Sequence, residues 1–211
     1  MISKNSELRE DFILKYMLDV ETRDSDSLLN IDKFSNPFDY KLKLKKAGSD
    51  EYEEKNIDLV ETFNYLIGAR ITKIFQPENL FAKFKRERDP ELPDDQNTKL
   101  ILNGKLENRE DGPWQIRCLE GFTPADRLNP NSGQIDKVLI VWRNLTGKIE
   151  EDNAILDAWF NKKRIKPLDF EFNTIYVNGT NNLPNLKLDN ETWKVRLIEE
   201  EFMKRMWEVE Y

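Results

Sequence analysis

The side chains that most often carry catalysis are scarce in this chain. It has no histidine and a single cysteine, Cys118. Without imidazole there is no Ser-His-Asp or Cys-His nucleophilic pair, and no zinc site that requires histidine. One thiol cannot form an intramolecular disulfide, a four-cysteine zinc site or an iron–sulfur site. These counts exclude several classes of enzyme, and we expect Cys118 to fill space in the core.

The glycines give no sign of a nucleotide-binding loop. All eight are isolated, so the sequence contains no Gly-x-Gly pair. A dinucleotide fingerprint and a Walker A loop both need clustered glycines, because the backbone must approach phosphate closely. Gly179 does follow a predicted strand, where α/β sheets often bind ligands. No glycine-rich turn leads from it into a helix, so an ordinary loop is the preferred interpretation.

Carboxylates are abundant, and 40 Asp and Glu residues make accidental acid pairs unavoidable. The acids between Asp89 and Asp95 could surround a divalent ion in a metal-dependent hydrolase. Their spacing suits that chemistry poorly, and a solvated loop is the preferred interpretation. We therefore predict no catalytic, cofactor-binding or metal-binding residue in this chain.

A short basic segment is the best candidate for contact with nucleic acid. Its members are Lys83, Lys85, Arg86 and Arg88. Basic side chains along a strand could line up with phosphates. The alternative is a solvated face balanced by the acids of residues 89–95, and we favour it. The net charge of −7 also argues against a nonspecific nucleic-acid coat.

Apolar spacing predicts the helices that must position these groups. A stripe from Leu8 to Val20 predicts a first helix, and a second runs from Asn56, as N-cap, to Gly68. A third contains Ile155, Leu156, Trp159 and Phe160. The last helix begins near Val195 and ends near Val209. Its candidate assembly surface consists of Trp193, Phe202, Met203, Met206 and Trp207.

Strands are predicted where apolar residues alternate or run together: 40–44, 71–75, 100–102, 114–119, 138–142 and 174–177. The strands at 100–102 and 114–119 are expected to be neighbours. Val138–Trp142 is apolar throughout, as in a strand covered on both faces. With the helix that follows and the strand at 174–177, it predicts a βαβ unit with parallel strands.

Together these elements predict an α+β fold. A mixed sheet has flanking helices, a C-terminal parallel βαβ unit and a terminal amphipathic helix. The loop at 89–96, with two prolines and four acids, is the best boundary, between parts 1–88 and 97–211. No apolar run approaches the roughly 20 residues of a membrane span, and no signal-peptide pattern is present. We predict a cytoplasmic location and no membrane partner.

Six stretches spread along the chain resemble one known family, in the same order. They are 8–21 (LREDFILKYMLDVE), 36–42 (NPFDYKL), 58–68 (DLVETFNYLIG), 141–143 (VWR), 175–179 (IYVNG) and 191–202 (ETWKVRLIEEEF). The family is the type III restriction–modification DNA methyltransferases, adenine-specific enzymes of the beta class known as Mod subunits. The resembling part follows their catalytic domain. Residues Phe122 to Asp136 depart from the pattern and are predicted to form a lengthened loop.

The resemblance implies a tail rather than a complete enzyme. In this family the Asp-Pro-Pro-Tyr loop and the Phe-x-Gly-x-Gly motif that binds S-adenosylmethionine lie upstream, and this chain contains neither. No catalytic residue is therefore carried over, and the cofactor belongs to the full-length parent. The implied partners are a second Mod subunit, the Res helicase-nuclease subunit and, through the parent, DNA.

We accordingly expect a non-catalytic module, either a piece of a longer protein or the product of a divided gene. Its work would be subunit assembly, with secondary contacts to the DNA backbone. The alternatives are a stand-alone nucleic-acid-binding module centred on the basic segment and, less favoured, a metal-dependent hydrolase.

Overall fold

The computed structural model describes residues 30, 34–88, 98–126, 129–188 and 192–207. The predicted first helix, the acids of 89–95 and Val209 lie outside these ranges. In chain order the elements are β1 (Lys41–Lys45), β2 (Tyr52–Asn56), α1 (Leu59–Leu66), β3 (Arg70–Ile74), β4 (Glu78–Phe81), β5 (Phe84–Arg88), β6 (Thr98–Leu102), β7 (Glu107–Asn108), β8 (Trp114–Pro124), β9 (Ile135–Arg143), α2 (Ile149–Lys163), β10 (Thr174–Val177), β11 (Val195–Leu197) and α3 (Ile198–Trp207). None of these helices is long and apolar enough to cross a membrane.

A mixed sheet organises the described residues. Its spatial order is β11-β10-β9-β8-β4-β7, and β3 also pairs with β8. Strands β9, β10 and β11 are parallel, whereas the pairs that involve β8 are antiparallel. Two antiparallel ribbons, β1–β2 and β5–β6, stand apart from this sheet. The predicted α+β class, the mixed sheet and the parallel βαβ unit are confirmed.

Helices cover both faces of the sheet. Alternate residues of β9 enter two separate apolar clusters, Leu139 and Val141 on one face and Val138, Ile140 and Trp142 on the other. The first cluster is completed by α2, and the second by α1 and α3. All five side chains are fully buried. This explains why β9 is apolar without alternation, as predicted.

Helix α1 begins later than predicted. Its N-cap is Asp58, whose carboxylate accepts a hydrogen bond from the backbone N–H of Glu61 at 3.0 Å. Asn56 is instead the last residue of β2. The predicted end is confirmed, because Gly68 has a φ of +65°, a left-handed conformation that glycine adopts at little cost.

The last helix also begins later than predicted. Val195 lies in β11, which extends the sheet beside β10, and α3 starts only at Ile198. Val195, Ile198 and Phe202 fall at helical spacing, but spacing over so few residues does not exclude a strand. Backbone hydrogen bonds to β10, such as that from the N–H of Ile175 to the carbonyl of Lys194, decided the outcome.

Two other strand predictions need correction. Residues 100–102 belong to β6, which pairs with β5, whereas β8 pairs with β3, β4 and β9, so the predicted neighbours are not paired. The lengthened loop is shorter than Phe122–Asp136, because β8 continues to Pro124 and β9 starts at Ile135. Strands β3 and β4 precede residues 89–96, the boundary predicted from the sequence, and β8 follows them, yet all three strands belong to one sheet.

Candidate functional site

A buried polar cluster lies where the parallel strands β9 and β10 end. Arg143 is the last residue of β9 and is only 2% exposed. Its guanidinium donates hydrogen bonds to the carbonyls of Asp152, Thr180 and Asn178 at 2.6, 2.7 and 3.2 Å, and to Oδ1 of Asn153 at 3.3 Å. Four contacts to fixed oxygens hold this side chain in one position.

Asn178 continues the pairing of β9 and β10 beyond the last backbone pair. Its Oδ1 accepts from the N–H of Arg143, and its Nδ2 donates to the carbonyl of Arg143, both at 2.7 Å. The side-chain amide thus reproduces the two hydrogen bonds of a neighbouring strand. Asn178 is fully buried, and its side chain satisfies two backbone groups that would otherwise lack partners.

The same cluster ties the sheet to the first turn of α3. The N–H of Gly179 donates to Oε1 of Glu199 at 2.7 Å. Gly179 has a φ of +73°, and a Cβ there would lie 2.8 Å from the side chain of Leu145. Burial raises the pKa of Glu199, although the hydrogen bond from Gly179 and the charge of Arg143 favour its ionised form. Its other oxygen, Oε2, is buried and has no partner among the described residues.

Asp152 joins the cluster from the first turn of α2. Its carboxylate accepts from Nε1 of Trp114 at 2.8 Å and from the hydroxyl and backbone N–H of Thr146 at 2.7 and 3.0 Å. A carboxylate in this turn is also favoured by the helix dipole. Asp152 therefore fastens α2 to β8 and to the loop that follows β9.

This arrangement is suited to holding structure rather than to binding a ligand. Burial lowers the pKa of Arg143 to about 10, so the guanidinium stays charged at neutral pH, and the nearby carboxylates support that charge. Protein oxygens accept four of its hydrogen bonds, which leaves little capacity for a substrate anion. The position matches the ligand sites of α/β sheets, but the contacts hold strands and helices together. We call this cluster the clamp; it consists of Arg143, Asp152, Asn153, Asn178, Gly179 and Glu199. No local pattern in the sequence indicates this cluster, because its members come from segments that are far apart in the chain.

An aromatic cluster lies on the α1 and α3 side of the sheet, close to this clamp. Phe63 packs against Trp142, Tyr176 and Phe202, with ring centroids 5.9, 5.3 and 5.3 Å away. Trp142 also contacts Phe202 at 6.3 Å. Such ring pairs contribute about 0.5–1.5 kcal/mol each beyond the burial of their area. The four rings hold α1, β9, β10 and α3 together.

A buried carboxylate missed by sequence analysis anchors the other end of α2. Glu78, on β4, accepts from Nε1 of Trp159 at 3.0 Å and lies 2.7 Å from Nζ of Lys163 and 3.6 Å from Nζ of Lys162. Burial opposes its ionisation, but these hydrogen bonds and charges outweigh burial and lower its pKa. The two lysines also lie in the last turn of α2, where the helix dipole favours positive charge.

The four basic residues lie on or beside the β5–β6 ribbon. The strand pleat places Arg86 and Arg88 on one face and Lys85 on the other, while Lys83 precedes the strand. Arg86 forms an exposed ion pair with Glu150 of α2, and Lys85 with Glu87. Part of the positive charge is therefore balanced by neighbouring acids, and the four side chains do not form a single row.

The proposed assembly residues differ in their surroundings. Phe202 is fully buried in the aromatic cluster, so it is not part of a surface. Trp193 is 53% exposed and Met206 is 37% exposed, while Met203 is half-buried. The side chain of Trp207 lies outside the part of the chain that the structure describes. Trp193 lines a groove of about 460 Å³ between β11 and α3, together with Arg196, Glu200 and Lys204.

The open side of β11 is already covered at Val195. Oδ1 of Asn185 accepts from the N–H of Val195, and Nδ2 donates to its carbonyl, both at 2.8 Å. A partner strand cannot pair with these groups unless Asn185 moves. At Val195 a contact must therefore use side chains, and the exposed indole of Trp193 lies two residues earlier in the chain.

Two further predictions concern Cys118 and metal binding. Cys118 is 2% exposed within the α2-side core, as expected, and burial raises the pKa of its thiol. Across the residues that the structure describes, no group of three or more Cys, Asp or Glu side chains could hold a metal ion. The acids at 89–95 lie outside those residues.

Comparison of the whole chain with protein-family models, curated proteins and solved structures finds no match.

Proposed function

We propose that this chain is a non-catalytic C-terminal module of a type III, adenine-specific DNA methyltransferase. Its role is subunit assembly, with a second Mod subunit and with the Res subunit, in the cytoplasm. S-adenosylmethionine and the DNA target are bound by the upstream part of the parent. The proposal starts from the resemblance of the sequence blocks described above.

One structural observation carries the proposal furthest: four of those separated blocks meet in space. Blocks 58–68, 141–143, 175–179 and 191–202 each supply one ring of the aromatic cluster, namely Phe63, Trp142, Tyr176 and Phe202. The last three blocks also supply Arg143, Asn178, Gly179 and Glu199 of the clamp. The resemblance therefore falls on groups that pack and hydrogen-bond together, which supports a shared core.

The surface formed by Trp193, Met203 and Met206, here called the Trp193 surface, supports the assembly role. The indole of Trp193 is about half exposed, and tryptophan is enriched at the centres of interfaces. Met206 adds a flexible apolar side chain on α3. We place the assembly contact on Trp193, Met203 and Met206.

Genomic context and co-purification test the proposal. We expect coding sequence directly upstream to contain the Asp-Pro-Pro-Tyr and Phe-x-Gly-x-Gly motifs, with a helicase-nuclease gene nearby. The upstream methyltransferase part, produced as a separate polypeptide, should co-purify with this chain. The double substitution Trp193→Glu, Met206→Glu should weaken that association at least tenfold.

Tyr65→Glu provides the matched control, because Tyr65 is an aromatic residue that is 86% exposed on α1. It should leave association unchanged. An upstream sequence without these motifs would contradict the family, and equal binding by the double variant would contradict the surface. Methyl transfer from S-adenosylmethionine to DNA by this chain alone would contradict the non-catalytic role.

A second candidate function, nucleic-acid binding, has one observation in its favour. An antiparallel two-stranded ribbon fits the major groove of DNA, and β5–β6 carries Lys85, Arg86 and Arg88. Binding of duplex DNA by this ribbon should weaken steeply between 50 and 200 mM salt. Replacing Lys83, Lys85, Arg86 and Arg88 with Ala should abolish it. Absence of binding at low salt would reject this function.

A further inference from the structure

The chain contains two Asn-Gly pairs, Asn103-Gly104 and Asn178-Gly179. The side-chain amide of asparagine is chemically labile, and a following glycine makes it more so. Because glycine has no side chain, its backbone nitrogen approaches the amide carbon of the preceding residue without steric hindrance. In a folded protein the reaction also requires that this nitrogen is free of hydrogen bonds and that water reaches the amide.

Asn103-Gly104 meets both requirements. The pair follows directly after β6, and both residues are exposed. Within the described part of the chain, neither the side-chain amide of Asn103 nor the N–H of Gly104 has a hydrogen-bond partner. A Cβ at Gly104 would meet no atom within 4 Å, so the space around the pair is open. The attacking nitrogen and the amide that it attacks are therefore both accessible.

Asn178-Gly179 meets neither requirement. Asn178 is fully buried, and its amide makes two hydrogen bonds of 2.7 Å to the backbone of Arg143. The N–H of Gly179 donates to Oε1 of Glu199, also at 2.7 Å. A reaction here would have to break three hydrogen bonds of the clamp. The second pair is thus an internal control with the same local sequence.

We propose that Asn103 is a site of spontaneous deamidation in the folded chain, whereas Asn178 is protected. Hydroxide removes the proton of the Gly104 N–H, and the nitrogen bonds to Cγ of Asn103. The bond from Cγ to Nδ2 breaks, and Nδ2 takes a proton from water and leaves as ammonia. Water then opens the resulting succinimide ring. Opening at Cγ gives aspartate, and opening at the backbone carbonyl gives isoaspartate, whose main chain runs through Cβ.

The product carries a carboxylate next to the basic segment. The backbone N–H of Asn103 donates to the carbonyl of Lys83 at 2.7 Å, which fixes the two residues side by side. If the β5–β6 ribbon binds duplex DNA, a negative charge at this place repels phosphate and weakens that binding. This consequence depends on the second candidate function, whereas the deamidation itself depends on neither candidate function.

Peptide mass spectrometry tests the modification. The purified chain is incubated for days in mildly alkaline buffer and then digested at mildly acidic pH, where the reaction is slow. We expect the peptide with Asn103 to convert to aspartate and isoaspartate, at a rate that rises in proportion to hydroxide concentration. The peptide with Asn178 should remain amidated. In guanidinium chloride, where the clamp is unfolded, both peptides should react.

Two variants provide matched controls. Asn103→Gln keeps an amide but disfavours the five-membered ring, so the folded variant should gain no new acidic species on ion exchange. Gly104→Ala should slow the reaction at least tenfold, because its methyl group hinders the nitrogen. If Asn103 stayed amidated in the folded chain, or if Asn178 reacted at the same rate, the proposal would be overturned.

DNA binding is measured separately, at low salt, with Asn103→Asp and Asn103→Gln. The aspartate variant should bind duplex DNA more weakly than the glutamine variant. Equal binding would overturn the predicted consequence for DNA. Mass spectrometry detects the modification without DNA, so failure of the second candidate function and failure of the deamidation are told apart.

Discussion

Arg143 and Arg86 carry the same side chain in two contrasting regions of the molecule. Arg143 is buried in the clamp and donates to four protein oxygens. Arg86 lies on the β5–β6 ribbon and pairs with Glu150, with both side chains more than half exposed. The position of each arginine explains this difference in burial. Arg143 is the last residue of the central strand β9, whereas Arg86 lies on β5, which is outside the main sheet.

The two arginines differ in the groups that each would leave behind if it were removed. This difference separates a basic residue with a structural role from one that is available for partners. Loss of Arg143 would leave several buried acceptors without donors, and such groups are costly. Loss of Arg86 would leave Glu150 in water, where it is already solvated. Surface ion pairs contribute only about 0–1 kcal/mol for this reason.

The largest expected effect follows from Arg143→Met. It keeps the length of the side chain but removes every donor, and we expect the free energy of unfolding to fall by about 3–5 kcal/mol. Urea denaturation followed by tryptophan fluorescence would measure it. Arg143→Lys retains the charge and should recover only part of the loss, since one ammonium group cannot reach all four oxygens. If Arg143→Met lowered the free energy of unfolding by less than the surface variant Arg86→Ala does, the structural role of the clamp would be refuted.

Glu78→Gln should come next, with a loss of about 1–3 kcal/mol. The amide can still accept from Trp159, but Lys162 and Lys163 lose their carboxylate. Because the folded-state pKa of Glu78 is lowered, its ionisation stabilises the fold above the unfolded pKa of about 4.3. That contribution disappears as the pH falls through the folded pKa. The difference between unmodified and variant chains, measured by urea denaturation from pH 3 to 7, should therefore grow with pH.

Glu199→Gln should show the opposite pH dependence and a smaller effect. The folded-state pKa of Glu199 is raised, so its contribution is fully present below the unfolded pKa and is lost as the pH rises through the folded value. Relative to the unmodified chain, Glu199→Gln should therefore gain stability between acidic and neutral pH. If Glu78 and Glu199 gave the same sign in this series, the contrast would be wrong between Glu78, which pairs with two lysines, and Glu199, whose Oε2 has no partner among the described residues.

Arg86→Ala is expected to have the smallest effect on stability, below about 1 kcal/mol. The loss should shrink further in 1 M salt, because screening weakens an exposed pair. Thermal unfolding in low and high salt would measure both values. If Arg86→Ala lowered stability as much as Arg143→Met, the contact of Arg86 on the ribbon would contribute as much to the fold as the contacts of Arg143 in the clamp.

Much of the fold could be predicted because local patterns and burial agreed. Val138–Trp142 is a strand covered on both faces, and the spacing of Leu156, Trp159 and Phe160 predicted α2. Strands β2, β4, β7 and β11 were missed as strands, because they are short and mostly polar, or because their apolar spacing also fits a helix. Their pairing comes from distant partners that a local pattern does not contain.

The candidate site was less accessible from the sequence. The VWR and IYVNG blocks were noticed, yet nothing in them indicates that the amide of Asn178 pairs with the backbone of Arg143. Phe202 was assigned to a surface because a helical stripe does not reveal which of its members face the core.

By itself the amino-acid sequence determined which kinds of side chain are present and which helices and strands their spacing predicts. Composition and spacing are properties of the chain before it folds. It excluded histidine-dependent chemistry and predicted the parallel βαβ unit. Only the tertiary structure decided which charges are buried and matched and which face water. That choice depends on which strands lie side by side, so groups such as Glu78 and Trp159, 81 positions apart, meet only in the folded protein.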